Sequence, residues 1–572
     1  MRLWSINKNL LHTLRIPVLL VAVILAVYYP AMLSGIHPID DPGIITFYSN
    51  SPSLSLVLLP GTGYYYRPLI ELSFWIDNFL WGMEPVVMHM ENILLHCANS
   101  FLVYLLARKV SEGNSDTFPL IPLIASLLFA LHPVNVEAVA WIAGRTDPLL
   151  TLFVLSVCWF LLRWLADLQW QDMTAALVFF IVALLTKETA LAFCGVIFLL
   201  VLAWPGAATF KQRTTAVCIL MTPGLLLGMF ALFFWNGTSG LNRFTTGSDL
   251  NCGQGGWNAL IATGFYTKKL IFPIPLNFAI TEVPPIYSMV GIVLVPTLYW
   301  AFRSNRRVGV LLISALLLTM PAVIVAVKQI AWTPFAERYL YLPAAFCAIG
   351  LSVFIQSYWK QFRLYIIFLM LIVLTGFVVI SEQRAMLWGN KYDFIQDAVA
   401  KSPDFGSLYN ELGGLFLLRG EADKAAESFA TADRLNKRPS MRLLIKANMM
   451  RVQYIKGNYT SVRESFYQIF NEKKEASADF LELLYKADYK RLNTLSGDDK
   501  TFLAEDLLET LALLNQKRYD PFWLYISGKL SLVVGDKVRA SDFFRNSYIA
   551  APADAHYRKA AAIHFQKLEN KQ

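Results

Sequence analysis

Long apolar runs recur from about residue 16 to 382 of this chain, and short polar breaks separate them. A helix that crosses about 30 Å of hydrocarbon needs roughly 20 mostly apolar residues. Only 16% of the residues are charged, whereas a soluble protein has roughly a quarter. The sequence therefore predicts an all-α, polytopic membrane domain over 1–382. The ordinary polar composition after residue 383 predicts a soluble domain over 383–572.

About eleven of these runs are candidate membrane spans. They are roughly 16–35, 86–107, 118–134, 147–165, 173–186, 189–204, 215–235, 286–302, 308–327, 341–358 and 362–381. The fifth and sixth are short and nearly touch, so they are the least secure pair in the count. With a cytoplasmic N-terminus, every inside break contains Lys or Arg, as the positive-inside rule expects. An odd number of spans then places residues 383–572 outside.

Two long breaks, 36–85 and 236–285, also fall outside in this topology. The first contains 69–82, where Phe74, Trp75 and Trp81 suit a helix that lies at the lipid interface. Long structured loops on one face indicate that this face carries the chemistry. The inside loops are too short to fold a domain, and the sequence lacks a P-loop, a dinucleotide-binding Gly motif and an HExxH motif. A nucleotide-using cytoplasmic enzyme is therefore disfavoured.

The net charge of +9 does not indicate nucleic-acid binding. The basic residues cluster in the breaks between apolar runs, where the membrane topology already explains them. Of the six cysteines, only Cys252 lies in a long polar loop. Their spacing fits neither a disulfide framework nor a zinc site, so the sequence predicts no metal cluster, although a divalent ion at outer carboxylates stays open.

An acidic pair, Asp40 and Asp41, follows the first predicted span. Two adjacent carboxylates repel each other, so one of them can have a raised pKa and act as a general base. A bare Asp-Asp more often forms a solvated turn, here directly before Pro42. The pair is thus a candidate catalytic site whose weight depends on the other motifs.

The second predicted span carries His89, Asn92, His96 and Asn99 at spacings of three, four and three, which places them on one helical face. Polar groups that face lipid are costly, so this stripe must face the interior of the bundle or a wet cavity. Interhelical hydrogen bonds that lock the packing are the favoured interpretation.

Further charged motifs reach the same outer side by span parity. They are His132 with Glu137, Arg145, Lys187 with Glu188, and Glu337-Arg338-Tyr339. Each alone is typical of an interfacial anchor or a local ion pair. Their convergence on one face with the acidic pair is what predicts a site.

The soluble segment contains 34-residue helix-turn-helix patterns. In 406–439, Gly413, Ala425 and Phe429 occupy the tetratricopeptide positions where small and bulky residues interlock, and 521–554 repeats the pattern. The sequence therefore predicts a tetratricopeptide-repeat α-solenoid. Such arrays present a concave surface that typically binds peptides or proteins, although a purely structural role is also open.

The order of the motifs resembles one family. Tyr66-Arg67-Pro-Leu69, the polar stripe of the second span, Leu131-His-Pro-Val-Asn-Val-Glu137-Ala-Val-Ala-Trp141, Lys187-Glu188 and Ala336-Glu-Arg-Tyr-Leu-Tyr-Leu-Pro343 precede the repeats. This order resembles the transmembrane-and-tetratricopeptide-repeat proteins, which belong to the C-type glycosyltransferases and are similar to protein O-mannosyltransferases. The repeat domain is shorter and more divergent here than the family pattern.

The resemblance implies a polyprenyl-phosphate-linked sugar as donor, mannose or a similar hexose, and Ser or Thr hydroxyls of exported proteins as acceptors. The family's acidic pair falls on Asp40 and Asp41, and we expect Asp40 to be the base in an inverting transfer, with Asp41 the alternative. Arg338, Lys187 and Arg67 could hold the phosphate. Glu137, Glu188 and Glu337 would orient these basic neighbours, and His132, Arg145 and Tyr339 would support them.

Other readings stay open. The acceptor could be a glycolipid or a cell-wall glycan, with the repeats recruiting partners. A non-enzymatic scaffold or a transporter is a further alternative, although no inverted pair of broken helices is evident. The short N-terminus and the absence of cysteines after 383 suit a bacterial inner membrane with periplasmic repeats, and a eukaryotic host would place the protein in the endoplasmic reticulum membrane.

Overall fold

The computed structural model describes residues 2–37, 39–59, 66–111, 120–234, 252–436, 439–473 and 476–570. These residues fold into helices joined by short turns, with one isolated bridge between Ile280 and Phe335. The chain separates into two compact units, 1–402 and 403–572. The all-α class predicted from the sequence is therefore confirmed.

The first unit contains sixteen α-helices within the described residues. They are α1 (Arg2–Met32), α2 (Asp41–Ser49), α3 (Leu54–Leu58), α4 (Pro68–Trp81), α5 (Pro85–Ser111), α6 (Leu120–Ala130), α7 (Val136–Ala140), α8 (Thr146–Asp167), α9 (Trp170–Thr186), α10 (Phe193–Ala203), α11 (Phe210–Phe234), α12 (Cys252–Ile271), α13 (Tyr287–Ser304), α14 (Arg306–Lys328), α15 (Tyr341–Gly389) and α16 (Lys391–Lys401). Short 3₁₀ turns at 133–135, 142–145, 188–192 and 337–340 lie between them. The charged motifs of the sequence are on or beside these turns.

Five helical segments of the described residues are long and apolar enough to cross a membrane, which confirms an integral multi-pass protein. They are Arg15–Met32, Pro85–Ser111, Ile142–Asp167, Arg306–Lys328 and Glu337–Gly389. The bent pair α6 and 133–140, with an angle of 47°, makes a sixth if it counts as one span. The total of about eleven stays a prediction, since several predicted runs, including α9 and α10, form shorter helices.

Helix α15 contains the tenth and eleventh predicted spans. It has 49 residues, and Phe362 interrupts it with non-helical angles of φ −125° and ψ 19°. At 1.5 Å per residue it is about 73 Å long, more than twice the thickness of a hydrocarbon core. The predicted domain boundary after residue 382 falls inside this helix, which continues to Gly389.

The polar stripe of α5 makes the predicted interhelical hydrogen bonds. The Asn92 side-chain amide donates to the Trp141 carbonyl at 2.8 Å, and the Asn99 amide donates to the Pro148 carbonyl at 2.8 Å. The His96 ring is bonded through Nδ1 to the Tyr341 hydroxyl at 2.7 Å and through Nε2 to the Ala130 carbonyl at 2.9 Å. These bonds tie α5 to the turns that carry the charged motifs.

The second unit is a series of helices joined by short turns. In the described residues they are α17 (Gly406–Leu418), α18 (Ala422–Leu435), α19 (Pro439–Ile455), α20 (Tyr459–Lys473), α21 (Ala478–Leu492), α22 (Gly497–Lys517), α23 (Pro521–Val534), α24 (Lys537–Ala550) and α25 (Arg558–Glu569). Two pairs share one packing detail. A Cβ atom on Gly413 would come within 2.6 Å of the Phe429 ring, and one on Gly528 within 2.7 Å of the Phe544 ring. Glycine is therefore required where each bulky ring packs.

Candidate active site

The acidic pair begins helix α2, and its two carboxylates have different surroundings. Asp41 is fully buried, and its Oδ2 and Oδ1 accept hydrogen bonds from the backbone N–H groups of His37 at 2.8 Å and Ala143 at 3.2 Å. Burial raises the pKa of Asp41 to about 7, while the two N–H groups oppose the rise. Asp40 reaches solvent, yet partial desolvation raises its pKa, and the nearby positive charge of Arg338 opposes that shift.

Glu137 and Arg338 form the buried ionic centre of the site. Glu137 lies in the first turn of α7, and its Oε1 pairs with the Arg338 guanidinium. Its Oε2 accepts the backbone N–H groups of Glu337 at 3.1 Å and Arg338 at 3.2 Å. The Arg338 guanidinium also lies over the Trp141 ring at 5.3 Å. One carboxylate thus fixes both the backbone turn and the guanidinium, and the side chain of Arg338 keeps 17% exposure.

The Tyr339 ring contacts two cations. Its ring centre is 4.9 Å from the Arg338 guanidinium carbon and 6.0 Å from the Lys187 Nζ. Lys187 is buried and donates to Asp147 Oδ1 at 2.6 Å. Burial lowers the pKa of Lys187, and the charge of Asp147 opposes that change. Two of the three predicted phosphate-binding cations therefore share contact with one aromatic ring.

Arg67 is the third of these cations. It precedes α4 and makes a bidentate pair with Glu188, with Nε to Oε2 at 2.8 Å and Nη2 to Oε1 at 2.5 Å. Its partner Glu188 directly follows Lys187 in sequence, and the positive charge of Arg67 lowers the pKa of Lys187. The side chain of Glu188 is 42% exposed, so this pair is the most solvent-accessible of the three.

Glu337 has a partner that the sequence reasoning missed. Its Oε1 accepts from Lys269 Nζ at 2.6 Å and from the Asn277 backbone N–H at 3.0 Å. Both partners belong to the second long loop, where Lys268 and Lys269 are adjacent cations beside an apolar stretch. A buried lysine in a membrane loop demands a carboxylate, which is the signal that could have indicated this pair.

Two predicted supporting residues make contacts of another kind. Arg145 is buried in a separate network, with Asp77 Oδ2 at 2.6 Å from Nη1 and Glu91 Oε2 at 2.8 Å from Nη2. His132 bonds the Leu270 carbonyl at 3.0 Å and packs on the Phe377 ring at 4.8 Å. These contacts join helices and loops, and none of them is made to the three cations.

Across the described ranges, no three His, Cys, Asp or Glu side chains are grouped closely enough to hold a metal ion. The arrangement can instead bind an anion through cations and accept a proton through a carboxylate. Arg338, Lys187 and Arg67 provide fixed positive charge, and Asp40 provides an accessible oxygen beside Arg338. Both are requirements of group transfer from a phosphate-linked donor to a hydroxyl.

Residues 68–233 match the family model described as dolichyl-phosphate-mannose-protein mannosyltransferase. The chain is 35% identical over 138 residues to the protein O-mannosyl-transferase Tmtc1 of Drosophila melanogaster, covering 23% of this chain and 15% of that protein. It is 35% identical over 170 residues to TMTC1 of Mus musculus, covering 27% and 17%, and 42% identical over 99 residues to TMTC4 of Mus musculus, covering 16% and 13%. The chain thus matches these relatives over less than a fifth of their length.

The predicted family resemblance is confirmed over the matched segment, and the family model for that segment is described as a mannosyltransferase. That segment contains Glu137, Lys187 and Glu188. The acidic pair and Arg338 lie outside 68–233, and it is the fold that brings Arg338 to Glu137.

Proposed function

We propose that the protein transfers mannose or a similar hexose from a polyprenyl-phosphate donor, such as dolichyl-phosphate-mannose, to Ser or Thr hydroxyls of exported proteins. The observation that carries the proposal is that Arg338 and Lys187 both contact the Tyr339 ring, while the charge of Arg67 acts on Lys187 and the charge of Arg338 acts on the exposed Asp40. The match of residues 68–233 to the mannosyltransferase family supports the donor class.

The three cations would bind the donor phosphate and stabilise the charge that develops on it. As the bond between the sugar C1 and the phosphate oxygen breaks, its electron pair stays on the phosphate, which gains one negative charge. Preorganised cations in a partly water-excluded site stabilise that charge strongly. Arg338 and Lys187 are held by buried carboxylates, so little reorganisation is needed during the reaction.

Asp40 is the residue best suited to be the base. Both oxygens of Asp41 already accept backbone N–H groups, whereas the Asp40 carboxylate reaches solvent. The acceptor hydroxyl would give its proton to Asp40 while its oxygen forms the new bond to C1. Attack opposite the leaving phosphate inverts the anomeric centre. Asp41 would hold the turn that aims Asp40.

The predicted topology indicates on which side of the membrane this reaction takes place. About eleven spans with a cytoplasmic N-terminus would put the acidic pair, the three cations and residues 403–572 on the non-cytoplasmic face. This face is periplasmic in a bacterial inner membrane and lumenal in the endoplasmic reticulum. The lipid donor would enter from the bilayer, with the phosphate at the interface.

The second unit supports a protein acceptor. Its helices carry the interlocking Gly413–Phe429 and Gly528–Phe544 contacts that tetratricopeptide repeats predict. We infer that 403–572 is such a solenoid and captures an acceptor polypeptide on its concave surface. A glycolipid or cell-wall glycan acceptor is the second candidate, since the cation cluster and the base would serve any hydroxyl.

The test uses the purified full chain in lipid nanodiscs with radiolabelled dolichyl-phosphate-mannose. One arm offers a Ser/Thr-rich peptide, and the other offers a lipid extract from the host. Asp40→Asn should abolish transfer, while Asp404→Asn, which changes an exposed carboxylate in the second unit, should leave it unchanged. Full turnover of the Asp40 variant would overturn the mechanism. Labelling confined to the lipid arm would favour the glycolipid acceptor, and no transfer in either arm would favour a scaffold or transporter.

A further inference from the structure

His37 lies in a closed aromatic box, although histidine is a polar residue. Its ring is 4% exposed, and neither ring nitrogen has a hydrogen-bond partner among the described residues. The ring centre lies 4.6 Å from Phe394, 4.7 Å from Trp388, 5.9 Å from Phe278 and 6.1 Å from Trp141. An unsatisfied buried polar group costs roughly 1–3 kcal/mol, so the ring is held by packing rather than by polar contacts.

The backbone of the same residue holds the acidic pair. The His37 N–H donates to Asp41 Oδ2 at 2.8 Å, across the turn that contains Asp40. A displacement of the His37 ring would move this N–H and release one of the two bonds that fix Asp41. The walls of the box thus pack against the residue whose backbone holds Asp41, the neighbour of Asp40.

Two walls of the box come from a segment outside the recognised family match. Trp388 is near the end of α15 and Phe394 is in α16, and both are buried. An ion pair within the segment joins α15 to α16, and its last residue bonds to the second long loop. Arg384 pairs with Asp397 at 3.1 Å, and the Asn277 side-chain amide donates to the Ser402 hydroxyl at 2.9 Å.

We propose that Phe394 and Trp388 are positioning residues for the transfer, acting through His37 and Asp41 on Asp40. The inference rests on the proposed function, because it assigns these side chains to the same base. It also makes residues 384–402 part of the catalytic unit. Pro403, the first residue of the second unit, directly follows this segment in sequence, so the segment that positions the base is also the covalent link to the acceptor-binding repeats.

The first test measures kcat and KM for Phe394→Ala with a small hydroxyl acceptor. Misplacement of a reacting group by about 1 Å costs on the order of 10²-fold in rate, so kcat should fall by about 10²-fold. The KM for the donor should stay within about twofold, because the box contains neither Lys187 nor Arg67, and the Trp141 wall that contacts Arg338 is unchanged in this variant. Phe394→Leu, which refills most of the space, should restore most of the rate. Phe544→Ala removes an equally buried ring from the second unit and should leave kcat with this acceptor unchanged.

The second test is hydrogen exchange of the backbone around His37 in the Phe394→Ala and Trp388→Phe proteins, with Phe394→Leu as the refilled control. The N–H of His37 should exchange faster than in wild type in Phe394→Ala and Trp388→Phe, since the bond to Asp41 is loosened, and should stay close to wild type in Phe394→Leu. Wild-type kcat in Phe394→Ala, or unchanged exchange in both Phe394→Ala and Trp388→Phe, would overturn the inference. Asp40→Asn measured in parallel separates the two ideas, because an active Asp40 variant refutes the proposed base itself.

Discussion

Replacement of Glu137 by Gln should loosen the ionic centre of the candidate site. The Glu137 carboxylate serves three donors at once, namely the Arg338 guanidinium and the backbone N–H groups of residues 337 and 338. Glutamine keeps one oxygen, so its NH₂ group must face a donor. Breaking a buried ion pair costs roughly 3–5 kcal/mol. The retained oxygen and the 17% exposure of Arg338 reduce this cost. We expect Glu137→Gln to lower the free energy of unfolding by about 2–3 kcal/mol.

Glu137→Ala should lower the free energy of unfolding further, because both backbone N–H groups then lose their acceptor. Each unsatisfied group costs roughly 1–3 kcal/mol. Glu188→Gln is the matched control. The side chain of Glu188 is 42% exposed, and pairs that are open to solvent contribute only about 0–1 kcal/mol. Thermal unfolding in detergent should therefore rank wild type and Glu188→Gln together, then Glu137→Gln, then Glu137→Ala.

Glu137→Gln should also weaken binding of the donor. A guanidinium that is no longer fixed by Glu137 has to be ordered when the phosphate binds, so the donor KM of Glu137→Gln should rise while its fold is retained. If Glu137→Gln and Glu188→Gln lowered the midpoint of thermal unfolding equally, this reasoning would be refuted. An unchanged midpoint in Glu137→Gln would do so as well, since it would mean that the buried pair is not what holds the turn.

Three further changes test other parts of the molecule. Burial raises the pKa of Asp41 to about 7, above its ordinary value of 3.8. The folded protein therefore binds this proton more tightly than the unfolded chain does, and protonation of Asp41 stabilises the fold. Wild-type thermal stability should therefore decline as pH rises from about 4 to about 7, and Asp41→Asn should remove that part of the slope; an identical slope would contradict it. Gly413→Ala should destabilise the second unit by about 1–3 kcal/mol through overpacking on Phe429. The matched control Gly414→Ala, with open space at its Cβ position, should be neutral or stabilising. Chemical denaturation of the full chain compares the two variants. Phe79 is 74% exposed on α4, and if that face contacts lipid, Phe79→Asp should lower turnover in vesicles while Phe79→Leu should not.

The multi-pass membrane character could be read from the sequence because it depends on local composition, whereas the total of about eleven spans stays a prediction. Apolar runs of sufficient length become helices in lipid, where every backbone polar group must be satisfied within the segment. The stripe of α5 was predictable for the same reason. The spacing from His89 to Asn99 places these side chains on one face, and the cost of exposing them to lipid decides which way that face points.

Ion-pair partners could not be read in this way. Glu137 and Arg338 are 201 positions apart, and no local period relates them. The sequence placed Arg145 with the supporting residues of the site, yet helix packing brings it to Asp77 and Glu91 instead. Lys269 pairs with Glu337 for the same reason, since a buried charge takes whichever opposite charge the packed helices bring within reach.

The acidic pair shows most directly what local sequence determines and what tertiary packing determines. The sequence by itself determined that two carboxylates follow the first membrane helix, together with the motifs that match a mannosyltransferase family. It ranked Asp40 before Asp41 as the base but could not show how their environments differ, because adjacent residues have the same local surroundings in sequence. Only the tertiary structure decided that Asp41 is buried against the N–H groups of His37 and Ala143 while Asp40 stays accessible beside Arg338. The physical reason is that burial and hydrogen-bond partners come from Ala143 and Arg338, which packing brings to this turn from distant parts of the chain.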